Sequence, residues 1–299
     1  MCTKSEIFVS QILLLKKSLT ILYILITMTA ASQAVRSYSN EFLNIGVDAA
    51  ALGMSNAVVA STSDVNAGYW NPAGLVNLED NQISLMHASY FANIANYDYI
   101  GFAKPLDDKS AVGISIIRFG VDDILNTTQL IDDQGNIDYN RISLFSTADY
   151  AFTVSYARAL PLDGLNLGVN AKVVRRVIGD FANSWGFGLD VGLQFKRGDW
   201  DFGLMARDIT TTVNAWSIDE EQFATISDAV EGQNQELPEK TEITIPKLQI
   251  GMGRQWIFHY DYSLRAELDM NFRFTQTNDI ISSSSVSATP ALGLEFGYA

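Results

Sequence analysis

Tyr262-Ser263-Leu264-Arg265-Ala266-Glu267-Leu268-Asp269-Met270-Asn271-Phe272-Arg273-Phe274 is the stretch that decides the fold class. Tyr262, Leu264, Ala266, Leu268, Met270, Phe272 and Phe274 fall on one side of an extended chain, and the polar residues between them on the other, because successive strand side chains point to opposite faces. A helix would mix the two sets. The pattern recurs outward from here. In residues 186–195, Phe187, Leu189, Val191, Leu193 and Phe195 oppose Gly188, Asp190, Gly192 and Gln194. Residues 165–173, 200–207, 248–253 and 292–298 follow the same rule, and 82–90, 97–104, 111–119 and 150–159 follow it less cleanly. The chain therefore reads as all-β with about ten strands, many near the ~9–11 residues that cross a bilayer at a tilt.

Ten such strands could pack as a soluble two-layer sandwich. Three features select a transmembrane antiparallel β-barrel instead. Short turns at 107–109, 161–164 and 196–199 alternate with long polar links at 120–147, 209–244 and 275–288, as turns and outer loops do in outer-membrane barrels. Tyr150, Tyr156, Trp200, Trp256, Tyr260, Tyr262, Phe274 and Tyr298 lie near strand ends, where amphipathic rings meet membrane interfaces. Residues 1–34 read as a secretory signal peptide: Lys16 and Lys17 precede an apolar run at 19–28, and Ala30-Ala31-Ser32-Gln33-Ala34 offers small residues before a cleavage site after Ala34. The expected destination is the bacterial outer membrane, with lipid and lipopolysaccharide as surroundings.

Composition narrows the function. Thirty-four acidic against 20 basic residues leave a formal charge of −14, which argues against nucleic acid as a partner. Charged residues make up 18% of the chain, below the roughly 25% of soluble domains. The one cysteine, Cys2, excludes a disulfide framework or a thiolate metal site. No nucleophile and base pair, metal-ligand spacing or phosphate loop emerges, so neither an enzyme nor a cofactor is expected. Gly186-Phe187-Gly188 lies within a strand and opens no helix. The oxygen-rich stretch 132–138 departs from EF-hand spacing and reads as a solvated turn. His87 and His259 read as structural.

Residues 35–80 do not alternate. The small-residue run Ala49-Ala50-Ala51-Leu52-Gly53-Met54-Ser55-Asn56-Ala57 contains a short helix, and Asn71-Pro72 begins a tight turn, since a residue before proline is pushed out of the helical region. Small side chains permit the close packing that a plug inside a barrel needs. Phe42-Leu43-Asn44-Ile45-Gly46, Ala50-Ala51-Leu52-Gly53-Met54 and Trp70-Asn71-Pro72-Ala73-Gly74-Leu75, taken in that order, resemble the N-terminal signature of the PorV/PorQ family of outer-membrane barrels, which are related to FadL-type fatty-acid transporters. Trp185-Gly186-Phe187-Gly188-Leu189-Asp190 and Thr211-Thr212-Val213-Asn214-Ala215-Trp216 extend the resemblance through most of the mature chain.

The resemblance implies a FadL-like barrel of 14 strands over residues 81–299, with residues 35–80 as an N-terminal hatch. The shortfall to about ten is expected to reflect C-terminal strands beyond residue 299, with strands missed by this reading or a smaller barrel as the alternatives. It also implies a role in type IX secretion, in which the outer loops dock secretion-system proteins or cargo sorting domains. FadL-like passage of a hydrophobic small ligand is the alternative. The expected site residues are the hatch turn Trp70, Asn71, Pro72, Ala73 and Gly74; the lumen-facing charges Lys172, Arg207, Arg265, Glu267, Asp269 and Arg273, which pair with the hatch, line a wet channel or form interior salt bridges; and, in the acidic link, which reads first as a solvated outer loop, a candidate docking surface or divalent-cation bridge to lipopolysaccharide at Asp219, Glu220, Glu221, Asp228 and Glu231.

Overall fold

The computed structural model describes residues 39–131, 134–220, 240–258, 261–279 and 281–298. The signal-peptide reading of residues 1–34 lies outside them, as do Asp132, Asp133, His259 and Tyr260.

The chain forms β1 (Gln82–Tyr90), β2 (Ala95–Asp107), β3 (Ser110–Asn126), β4 (Ser143–Ala159), β5 (Leu165–Ile178), β6 (Ala182–Arg197), β7 (Trp200–Arg207), β8 (Thr212–Ile218), β9 (Thr241–Thr244), β10 (Lys247–Phe258), β11 (Tyr262–Arg273), β12 (Ile281–Ser282) and β13 (Ser287–Tyr298). They make one antiparallel sheet in the order β1-β2-β3-β4-β5-β6-β7-β10-β11-β13-β12, with β8 pairing β6 and β9 pairing β8.

Thirteen strands replace the expected ten or so. The additions are β8, β9 and β12, of seven, four and two residues, inside links that read as loops. Such short runs give alternation little room to show. On β8 the buried positions are also polar, Thr212 and Asn214, so the usual contrast between faces is weak. The link after β3 shortens too, because pairing resumes at Ile124–Phe145 after a register shift beyond Val121.

Which face is apolar decides the architecture. On β6, Trp185 and Phe187 are 52% and 53% exposed, while Ser184, Asp190 and Gln194 between and below them are buried. Ile83, Leu85, Ile114, Val154, Leu292, Leu294 and Phe296 continue the exposed apolar face around the sheet. A soluble sheet would hide these residues and show its charges; a wall that faces lipid does the reverse. At the end of the sheet with the short turns, aromatic rings gather. Trp200 stacks on Phe202, Arg254 lies over Trp200 and Trp256 at 5.0 and 5.2 Å, and Tyr262 meets Phe296 and Tyr298. This is the position of an interfacial girdle.

Among the described residues no ladder joins β1 to β13 or β12, the two ends of the path. Both ends nevertheless reach one short N-terminal stretch. The Asp48 amide donates to Met86 Sδ on β1 at 3.3 Å, and a Cβ on Gly293 of β13 would lie 2.7 Å from the Met54 carbonyl oxygen. The sheet thus curls around residues 39–80.

Candidate functional site

The N-terminal segment is built from short pieces: a 3-10 turn Glu41–Asn44, a helix Ala49–Gly53, a single helical turn Ala67–Trp70 and a 3-10 helix Pro72–Asn77. Asp48 starts the first helix by accepting from the Ala50 amide. Asn71 makes the sharpest transition. Its backbone is extended, as a residue before proline requires, and its Oδ1 accepts from the Ala73 amide to cap the next helix. Pro72 fills the first helical position, where no N–H is needed. Asn71 Nδ2 meanwhile donates to the Val59 carbonyl at 2.8 Å and to the Leu193 carbonyl on β6 at 3.0 Å. One fully buried amide therefore closes the turn, ties it to an earlier loop and fastens both to the sheet. Gly74 is needed beside it, since a Cβ there would lie 2.2 Å from the Thr62 carbonyl oxygen. Trp70 packs edge-on against Tyr69 and donates from Nε1 to the Val47 carbonyl at 3.1 Å.

The sheet accommodates the segment through glycines. A Cβ at Gly168 on β5 would lie 2.2 Å from the Ala73 nitrogen; at Gly192 on β6, 2.1 Å from Asn71 Oδ1; and at Gly203 on β7, 2.4 Å from the Val59 carbonyl oxygen. Gly168 faces Gly192 across β5 and β6, and Gly203 faces Gly251 across β7 and β10, where a Cβ would come within 3.1 Å of the Ala60 nitrogen. These positions form a shallow seat in the inner wall.

Inner-wall side chains hold the backbone of the segment. Asn170 donates to the Gly68 carbonyl at 2.9 Å and Gln194 to the Thr62 carbonyl at 2.9 Å. Arg207 donates to the Tyr69 carbonyl at 2.9 Å with its guanidinium 4.9 Å from the Tyr69 ring centroid. Glu267 accepts from the Ala60 amide at 2.7 Å and Asp269 from the Val59 amide at 3.1 Å. Lys172 pairs with Asp190 at 2.8 Å and with Asp208 at 2.7 Å, all three being buried.

Of the six charges expected to face the lumen, Lys172, Glu267 and Asp269 are buried within the wall, and Arg207 reaches the segment. Arg265 pairs with Glu295 at 3.3 Å, and Arg273 approaches Glu41 at 4.0 Å. In the acidic link, the Asp219 amide donates to the Phe181 carbonyl and exposed Glu220 lies 3.5 Å from Lys240. Glu221, Asp228 and Glu231 lie outside the described residues. His87, which sequence left without a partner, meets Asp98 of the neighbouring strand at 2.7 Å. The seat glycines, Asn170, Asp190, Gln194 and Asp208 were not marked as site residues. Their one signal was polar or glycine residues repeating at alternate positions of β5 to β7.

Two cavities flank the segment. One of about 240 Å³ opens at the end with the long links, between Tyr69, Trp70, Arg207, Lys247, Asn271 and Arg273. The other, of about 330 Å³, lies between the segment and β11 and β13, lined by Asp48, Met54, Ser61, Asp64, Arg265 and Glu295 among others.

A family model described as Type IX secretion system protein PorV matches residues 28–233. The chain belongs to the PorV family. The matched span takes in the segment 39–80, β1 to β8 and the Asn71-Pro72 junction. Families of this kind are outer-membrane proteins, of secretion or transport rather than enzymatic. Among solved structures, the PorV-family chain is similar to a Pseudomonas aeruginosa FadL homologue, at 11% identity over 75% of this chain and 68% of that one, with a TM-score of 0.40. It is also similar to the CymD monoaromatic hydrocarbon channel, at 9% identity over 85% and 98% of the two chains, with a TM-score of 0.26. No curated protein sequence matches it.

Proposed function

We propose that this PorV-family chain is an exported outer-membrane barrel that serves type IX secretion by docking cargo or translocon proteins at its outer mouth and loops, with residues 35–80 as a hatch that stays seated. No covalent step belongs to it. The observation that carries this reading is the filled interior: the segment is held by buried and part-buried hydrogen bonds to β5, β6, β7 and β11 and rests on glycines that a movable gate would not require. A barrel stoppered in this way offers a rigid platform. Its outward apolar face meets acyl chains and its rim meets lipopolysaccharide.

The second reading, FadL-like passage of a hydrophobic small molecule, would use the cavity beside β11 and β13. Ser61, Thr62, Ser63, Asp64, Arg265 and Glu295 share the lining of that cavity with Ala50, Ala51, Met54, Val58, Trp70 and Leu294, so an apolar passenger would meet as many polar side chains as apolar ones, where ligand sites are predominantly apolar. Purification from outer membranes in mild detergent, with mass spectrometry of co-purifying proteins and extracted lipids, tests both readings. Stoichiometric secretion proteins or cargo are expected. A bound apolar molecule without protein partners would move the assignment to transport.

A further inference from the structure

At the outer mouth, register places three cations side by side. Lys247 on β10 is paired with Arg207 on β7 and with Arg273 on β11, and all three line the 240 Å³ cavity above Tyr69 and Trp70. Like charges on directly opposed strand residues repel, their Cβ atoms being roughly 5 Å apart. Among the described residues few ion pairs offset that repulsion: Asp279 also lines the cavity but its carboxylate accepts from the Thr277 hydroxyl at 2.6 Å, and Asp190 and Asp208 are paired with Lys172. Arg207 turns to Gln249 and to the neutral Tyr69 carbonyl. Lys247 lies 3.4 Å from Glu41 and 3.1 Å from the side-chain oxygen of Asn44. Arg273 has only the same Glu41, at 4.0 Å, so among the described residues one carboxylate serves two cations and the Arg273 fork is left almost unspent. The next inward row is made of amides: Gln249 faces Asn271 and donates to it at 2.6 Å, and Asn271 reaches the Thr289 carbonyl.

We propose that this cavity receives a carboxylate carried on a peptide segment, from an acidic side chain or from a chain terminus. The proposal rests on the docking reading above and names what the mouth recognises. A guanidinium fork grips a carboxylate through two parallel N–H bonds, and the charge assistance makes those bonds short and strong. The amide row below supplies donors and acceptors for peptide groups, which an acyl chain would leave unpaired. The volume falls under the ~300–1,000 Å³ of sites that enclose a whole small ligand, so it suits the end or the side chain of a longer segment. Tyr69 and Trp70 form the floor and come from the segment itself, so the receptor exists only while the segment is seated.

The test uses the full mature chain in nanodiscs, labelled for thermophoresis, with acetyl-Gly-Ser-Ala-Val as free acid, the same peptide amidated, amidated acetyl-Gly-Ser-Asp-Val, palmitate and inorganic phosphate as probes. At least one carboxylate peptide is expected to bind ten-fold or more tightly than the uncharged amide, and the free-acid and Asp arms show which source is read. Arg273→Gln should lower that affinity at least ten-fold and Arg273→Lys should retain part of it, with heat-modifiable gel mobility unchanged in both. Equal binding of the uncharged amide, no binding of either carboxylate peptide, tighter binding of palmitate or phosphate, or indifference to Arg273→Gln would overturn the proposal. Co-purification of secretion proteins is measured separately: its persistence when peptides fail leaves docking standing and removes only the carboxylate receptor.

Discussion

The wall formed by β5 and β6 and the wall formed by β11 both bury acidic groups against the N-terminal segment, but they do so in opposite ways. On the first, Lys172 lies between Asp190 and Asp208, and Asp190 also accepts from the Asp208 amide, so the cluster is complete within the sheet. On the second, Glu267 and Asp269 have no cation within ion-pair distance among the described residues and accept from the Ala60 and Val59 amides of the segment. Removing the segment would leave the first cluster intact and strip the second of its donors. The difference assigns two tasks: the Lys172 cluster holds the wall together, and the β11 acids hold the segment to the wall.

The sharpest way to break this comparison is Lys172→Met. It leaves two buried carboxylates without their cation, a change that costs about 3–5 kcal/mol in other buried pairs. The folded, heat-modifiable band should be lost, while limited proteolysis of whatever folds should show no preference for the segment. Next in size is the double change Glu267→Ala with Asp269→Ala. Each lost acceptor strands a buried backbone amide at about 1–3 kcal/mol, so the barrel should still fold but residues 57–64 should become open to protease. Heat modifiability lost in this variant would mean that both walls serve the same purpose. Gly192→Ala comes third. Its methyl group would meet the Asn71 side chain, and the overpacking, about 1–3 kcal/mol, should unseat the turn and raise small-solute leakage in liposomes. Asn71→Ala with Pro72→Ala should also raise leakage. Lys240→Ala is the smallest: its partner Glu220 is exposed, and loss of such a pair is worth under about 1 kcal/mol and should leave stability and leakage unchanged.

Sequence reached the wall more readily than what fills it. Alternation is a property of one strand, so β5, β6, β7 and β11 were legible residue by residue, and with them which residues share the apolar face and which, such as Lys172, Arg207, Glu267 and Asp269, fall on the other. Partnership across strands is set by register, which no single strand carries. The Lys172–Asp190–Asp208 cluster, the cross-strand His87–Asp98 pair and the cation row at the mouth all depend on it. Lys247 illustrates the limit: it stands at the first position of β10 among turn residues and gains meaning only between Arg207 and Arg273. The seat glycines were hidden for a related reason. Gly168 and Gly192 read as weak strand residues until the turn at Asn71 is placed against them. The short strands β8, β9 and β12 escaped because pairing, rather than hydrophobic contrast, defines them.

The account stands on the claim that the segment stays seated while the barrel serves secretion. Gly68 on the segment and Ser155 on β4 test it directly, because a Cβ at Gly68 would lie 3.9 Å from Ser155 Cβ, within the range of a disulfide. The chain has one cysteine, Cys2, within residues 1–34, so Gly68→Cys with Ser155→Cys would introduce an isolated pair. Cargo display on the cell surface should be the same with this lock oxidised as with it reduced. Display that stops on oxidation and returns on reduction would show that the segment must move, and would contradict the account.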